Sequence, residues 1–320
     1  GEEVKRTAVN AVTAIDARLE MWGAVQNAWY GLSLGSVLLL AAIGLAITFG
    51  VMGVINMAHG EMVMLGAYTT FTVQEIIRAY NPALFDYSLL FAVPLAFLVA
   101  GFVGILIERG VIRFLYGRPL ETLLATWGLS LILQQAIRTI YGSSNRDVGA
   151  PSWMSGAFEV GGITITYNRL WIICFTLAVF VALLGILRLT RLGLEMRAVT
   201  QNRAMAASVG IRTARIDALT FGLGSGIAGI AGVALSQIDN VSPNLGQGYI
   251  IDSFMVVVFG GVGNLWGTLV GAFALGIANK FLEPYAGAVL AKIFILVLII
   301  LFIQKRPRGL FALKGRAVEA

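Results

Sequence analysis

The sequence predicts an all-α polytopic membrane protein. It has eight to nine transmembrane crossings, two of them short or interrupted, and one small extracytoplasmic β-hairpin. Three observations predict this. Of the 320 residues, 58% are apolar and only 12% charged, where soluble proteins carry about 25% charged residues. The mean hydropathy is +0.83. Apolar stretches near the length that spans a bilayer, about 20 residues, recur along the whole chain. A chain of this composition has too little polar surface to cover itself in water, which excludes disorder, a collagen and a disulfide-rich scaffold. Cys174 is the only cysteine and His59 the only histidine. No intrachain disulfide can form, and no His or Cys cluster can be built for a metal.

Residues 1–25 lack the apolar core and cleavage site of a secretory signal. Val4, Ala8, Val12, Ile15, Leu19 and Trp22 recur at helical spacing, which predicts an amphipathic helix at the outer surface or a trimmed N-terminal region. The membrane domain, 26–304, holds the apolar stretches 28–51, 62–77, 88–107, 122–140, 170–187 and 216–236. It continues with the short 250–260 and with 265–281 and 288–304. Between 142 and 168 lies the longest outer loop, where residues 158–167 read as a β-hairpin around Gly161-Gly162.

Orientation follows from Lys and Arg, which collect in cytoplasmic loops. Most of them lie in three segments. Arg109, Arg113 and Arg118 form the first. Arg188, Arg191, Arg197, Arg203, Arg212 and Arg215 form the second, within the loop 188–215. Lys305, Arg306, Arg308, Lys314 and Arg316 form the third, in the tail 305–320. Nine crossings put all three on one side, with the N-terminus outside and the C-terminus in the cytoplasm. The net charge of +6 is then topology, and leaves nothing for nucleic acid to account for.

Two segments carry polar chemistry between apolar ones. Asn56, His59 and Glu61 sit among glycines at 50, 53 and 60, and the second half repeats the pattern in 259–268, with Asn264 and Thr268. Glycine-interrupted segments in corresponding halves point to a transport site at membrane depth. The other reading is a tight interfacial turn whose polar groups cap helix ends, and Glu61 also suits an electrostatic cap. In the loop 188–215, Arg203 to Val209 predict a short small-faced helix stopped by Gly210, suited to a groove on another protein. A plain basic loop is the alternative. Gly224, Gly226 and Gly229 match G-x-G-x-x-G, but no strand precedes them and helix packing explains them better. Gly-Lys occurs nowhere, so there is no phosphate loop, and nucleotide chemistry must belong to another chain.

The run from Gly35 to Gly50, then Gly53-Val-Ile-Asn-Met-Ala-His-Gly-Glu61 and Gly66-Ala-Tyr68, resembles the branched-chain amino acid permease family of ABC importers. Arg197-Ala-Val-Thr-Gln-Asn-Arg203 with Gly210-Ile211 is similar to that family's ATPase-coupling loop, and Arg306-Pro-Arg-Gly-Leu-Phe311 to its C-terminal ending. Residues 123–130, 237–248 and 249–261 resemble the urea permease branch most. The resemblance covers about residues 25 to 316. Many such permeases carry an upstream region and signal segment before this point, which suggests a processed, trimmed or short N-terminus.

The resemblance implies a permease of the bacterial inner membrane without its own ATPase activity. Its partners are a second homologous permease subunit, two cytoplasmic ATPase subunits and a periplasmic solute-binding protein, in membrane lipid. No cofactor is bound by this chain; ATP and Mg belong to the ATPase subunits. Coupling residues carried over are Arg197, Gln201, Asn202, Arg203, Met205, Ala206, Ala207 and Gly210. The family motifs name no solute-binding residue, so the substrate pathway of Asn56, His59, Glu61, Asn264 and Thr268 rests on the residues themselves. The solute expected is urea. A branched-chain amino acid permease, a passive urea channel and an intramembrane hydrolase using Ser225 are the alternatives.

Overall fold

The computed structural model describes residues 1–311. Helix α1, Glu2–Met52, is 51 residues long, about 75 Å at 1.5 Å per residue. The terminal helix expected over 1–25 and the first apolar stretch are therefore one continuous helix. Residues 2–7 and 9–20 of this helix are exposed, whereas residues 35–48 are buried throughout. Gly53 ends it with a left-handed φ of 68° and donates its N–H to Phe49 O, the use of glycine that a helix C-terminus favours.

Helices α2 (His59–Tyr80), α3 (Ser88–Gly110), α4 (Pro119–Tyr141) and α5 (Tyr167–Leu189) follow, with strands β1 (Ala157–Val160) and β2 (Ile163–Thr166) before α5. Two short helices, α6 (Arg191–Gln201) and α7 (Arg203–Ser208), lead to α8 (Thr213–Leu235), α9 (Leu245–Gly260) and α10 (Leu265–Lys305). α10 is broken at Gly287, φ 78° and ψ 162°, into segments 265–286 and 288–305. Each of the nine expected apolar stretches thus coincides with a helix or one of these segments. Among the described residues, five helices are long and apolar enough to cross a membrane: α1, α3, α5, α8 and α10. α9 is apolar but only 16 residues long. α2 and α4 have the length, but Glu61, Gln74, Ser130 and Gln134 interrupt their apolar character.

The core forms around α8, whose small residues let each neighbour approach to backbone contact. A methyl group at Gly224 would meet Gly44 O of α1 at 2.6 Å. One at Gly226 would meet the Phe97 ring of α3 at 2.6 Å, and one at Gly229 would meet Ala96 O at 2.5 Å. On α2, a methyl at Gly66 would fall onto Gly229 O. The G-x-G-x-x-G stretch is therefore a packing surface for three helices. Ser225 belongs to the same surface, lying where a Cβ on Gly104 of α3 would be. α10 lies antiparallel to α1, with Gly31 against Ile277 and Gly50 against Gly263.

The hairpin forms as expected. β1 and β2 pair antiparallel with Val160 opposite Ile163, and Gly161 and Gly162 turn with φ of 64° and 110°. The glycines also make room for the Trp22 ring, 2.5 Å from where a Gly161 Cβ would lie. Gln26 and Thr164 exchange two hydrogen bonds of 2.9 and 3.2 Å, so the hairpin is clamped to α1. In the adjoining loop, Asp86 accepts from Ser152 N and Oγ, both at 2.8 Å. The backbone bond first, then the hydroxyl, hold that carboxyl below its usual range.

At the opposite end the three basic segments converge. Arg203 lies over the Tyr116 ring of the 111–118 connection. Gln201 and Asn264 line one cavity, and Asn264 Nδ2 donates to Phe311 O at 3.3 Å. Leu310 N and Phe311 N donate to Phe259 O and Gly260 O, which folds the start of the tail onto α9. Lys314 and Arg316 lie outside the described residues.

Candidate functional site

After Gly53 the chain runs without helix to α2. Asn56 Oδ1 accepts from Ala58 N at 3.0 Å, an Asx turn that aims residue 59 into the bundle. His59 is 1% exposed. Its Nε2 lies 2.8 Å from Ala41 O on α1. A carbonyl only accepts, so Nε2 carries the proton and Nδ1 is left as an acceptor. α2 then runs beside α4 in the same direction. Met57 N donates to Thr126 Oγ1 at 3.1 Å, and Thr72 and Tyr141 are joined at 2.7 Å. Between these rungs Glu61 Oε1 accepts from Ser130 Oγ at 2.8 Å and from Gln134 Nε2 at 2.7 Å.

Three polar atoms of this stretch are buried and make no hydrogen bond: Asn56 Nδ2, His59 Nδ1 and Glu61 Oε2. Asn56 Nδ2 is a donor, His59 Nδ1 an acceptor, and Glu61 Oε2 an acceptor when the carboxyl is ionised. Buried polar groups normally find partners, so three without one in six residues is a feature that needs a cause. Thr126, Ser130 and Gln134 are missing from the residues singled out in the sequence. Their signal was present, because Thr122, Thr126, Ser130 and Gln134 recur every fourth residue and make one polar stripe on an otherwise apolar helix.

The second pair is placed differently. Asn264 caps α10, accepting from Trp266 N at 3.1 Å and Gly267 N at 3.2 Å. Thr268 is fully buried and donates to Asn264 O at 3.0 Å. These polar atoms serve the turn and the tail. Asn264 nonetheless lines a cavity of about 420 Å³ with Gly50, Val51, Met196, Arg197, Gln201 and Trp266. That cavity joins one of the second pair to the coupling group, and its walls come from α1, α5, α6 and the 263–266 turn. Asn264→Ala should lower thermal stability by about 1 kcal/mol, the usual worth of an N-cap, whereas Asn264→Asp should retain it. A thermal melt of the purified protein checks both.

In the coupling group, Arg197 donates to Leu187 O at the end of α5. Asn202 Oδ1 caps α7 through Met205 N at 3.0 Å. Arg203 pairs with Asp217 of α8. Gly210 has a φ of 93° and stops the helix as the sequence predicts. Ala206 faces the body, whereas Met205 is 61% exposed and Val209 70%. Among the described residues no three His, Cys, Asp or Glu side chains gather as a metal site needs.

The family model of the branched-chain amino acid transport system permease component matches residues 27–303. The chain belongs to this family. Among its relatives is the high-affinity branched-chain amino acid transport system permease LivH of Salmonella typhimurium, 34% identical over 89% of this chain and 94% of that protein. The permease BraD of Pseudomonas aeruginosa is 30% identical over 91% and 96%. The ribose import permease RbsC of Escherichia coli is more distant, 26% identical over 60% of this chain and 59% of its own. No solved structure matches. The chain is a multi-pass membrane protein of the permease type, and the family match over residues 27–303 takes in the α1–α2 region and the apolar helices.

Proposed function

We propose that this permease is the membrane-spanning subunit of an ATP-driven importer in the bacterial inner membrane, and that its solute is urea. Nine helical segments cross, with the N-terminus outside and α6–α7 in the cytoplasm. Separate ATPase subunits bind ATP and Mg, a second homologous permease completes the passage, and a periplasmic protein delivers the solute. The observation that carries the solute class is the set of unpartnered groups at Asn56, His59 and Glu61. Urea offers one carbonyl acceptor and four N–H donors, which one donor and two acceptors complement. The external protein supplies affinity, so the passage needs only transient hydrogen bonds. Exposed Met205 of α7 and Val209 just after it suit a docking groove on an ATPase subunit, and α6 forms one wall of the cavity at Asn264.

One reading competes. LivH and BraD are named for branched-chain amino acids, and Glu61 Oε2 would also take an ammonium group. Uptake by the complete complex in liposomes separates them. Labelled urea should accumulate only with ATP and be unaffected by excess leucine. Accumulation of leucine without urea uptake would replace urea by an amino acid, and urea uptake without ATP would make the chain a channel.

A further inference from the structure

Four side chains from three parts of the chain meet where α7 joins the bundle. Arg203, the first residue of α7, donates through Nη2 to Asp217 Oδ2 near the start of α8. Its guanidinium also lies over the Tyr116 ring, 5.0 Å from the centroid. Tyr116 sits in the connection between α3 and α4 and donates to Glu108 Oε1 at 3.0 Å. Asp217 is 0% and Glu108 1% exposed. Asp217 Oδ1 and Glu108 Oε2 make no hydrogen bond, and Glu108 Oε2 lies 3.7 Å from Arg109 Nε. Burial pushes the Tyr116 phenol well above its usual range, so it remains a donor.

α7 has six residues, too few to hold a helix by its own hydrogen bonds. Met205, Ala207 and Val209 are exposed. Asn202 caps it locally through Met205 N, and its ties to the body are the buried Ala206 and the Arg203–Asp217 pair. The last is directional, because its hydrogen bond holds only at contact distance and near-linear geometry. A push on α7 therefore either carries Asp217 with it or breaks the pair. From Asp217, α8 continues to Gly224, which touches Gly44 backbone to backbone, and a Cβ on Gly44 would also lie 2.9 Å from the His59 ring. Close-packed backbone has little room to absorb displacement. Through Tyr116 and Glu108 the same residue grips α3.

We propose that Arg203, Asp217, Tyr116 and Glu108 form the joint through which movement of α7 reaches the start of α2. This rests on the importer reading above. They are positioning residues: none touches solute, and each acts by keeping α7, α8 and α3 in register. Without the joint, α7 still docks on an ATPase subunit but its motion slips.

The test uses the complete complex, reading ATP hydrolysis and uptake together, with whichever of labelled urea or leucine the wild type accumulates. D217N and Y116F should co-purify with the ATPase subunits and hydrolyse ATP within about twofold of wild type. Uptake per ATP should fall about tenfold in D217N, which keeps an acceptor for Arg203 but removes the charge that strengthens the bond, and less in Y116F. The exchange R203D/D217R should recover part of it. Uptake and hydrolysis falling in parallel would show a merely structural role and overturn the joint, as would unchanged uptake per ATP. Should D217N fail to assemble, Y116F decides, since it removes one hydroxyl only. A wild-type complex that transports equally without ATP overturns the importer reading, and the joint with it, before any variant is read.

Discussion

Replacing Gly66 by valine leaves no folded permease to purify. The α2–α8 contact is backbone on backbone: a Cβ at residue 66 falls onto Gly229 O, and one at Gly232 onto Val63 O. Neither obstacle is the end of a flexible side chain, so helices must separate to admit the methyl groups. Overpacking a close-packed interior costs about 1–3 kcal/mol even where side chains can yield, and here the whole helix must move. The shift would also pull Glu61 from Ser130 and Gln134, because α2 carries both contacts. Gly66→Ala should be severely destabilised for the same reason. The control is Gly128 of α4, where nothing lies within 4 Å of an added Cβ. Gly128→Ala should be neutral, or stabilise by up to about 1 kcal/mol by limiting the unfolded chain. Monodisperse yield and thermal unfolding in detergent read all three. A Gly66→Val protein as stable as wild type would mean that α2 does not pack on α8 as described.

The second large effect is at Glu61. Glu61→Leu removes the acceptor of Ser130 Oγ and Gln134 Nε2, both inside the bundle. The Ser130 hydroxyl loses its acceptor and Gln134 Nε2 keeps only its 3.2 Å bond to Ser130 Oγ, a loss of about 1–3 kcal/mol for each buried donor so deprived, and α4 loses its central tie to α2. Glu61→Leu should therefore fail to assemble. Glu61→Gln keeps an acceptor for those donors and should assemble with near-wild-type stability. It replaces the unpartnered Oε2 by an amide N–H, so the stretch 56–61 offers one acceptor fewer to a solute rich in N–H donors. Uptake by Glu61→Gln should fall at least about tenfold, the value of one hydrogen bond to a charged group, with ATP hydrolysis retained. Full uptake by Glu61→Gln would confine Glu61 to holding α4.

Much of the architecture was legible because it follows from local rules. Gly161-Gly162 between two alternating runs gave the hairpin, and Gly210 gave the end of α7. Paired glycine-interrupted segments marked the two breaks at 53–58 and 261–264. Other features were not legible. Residues 1–27 join α1 without a break, since a helix propagates through a change of composition provided no Gly or Pro intervenes in a strained position. α6 went unread, although Thr190 is a sound N-cap and accepts from Gly193 N. That Asn264 would cap α10 while Asn56 kept an unpartnered amide could not be read, because both occur in the same glycine-rich setting and only tertiary packing separates them. The partners of Glu61 and Asp217 lie 69 and 14 residues away in sequence. Spacing along one chain carries no information on which helix lies beside which.

The most direct measurement of the account places a cysteine at Met205. Cys174, the only native thiol, is exposed and is first replaced by serine. In sealed vesicles of known orientation, a membrane-impermeant thiol reagent should label Met205→Cys only from the cytoplasmic face. Bound ATPase subunit should shield it, and ATP should change the degree of shielding. Labelling from the outer face, or labelling indifferent to the ATPase subunit, would contradict the claim that force enters this permease through α7.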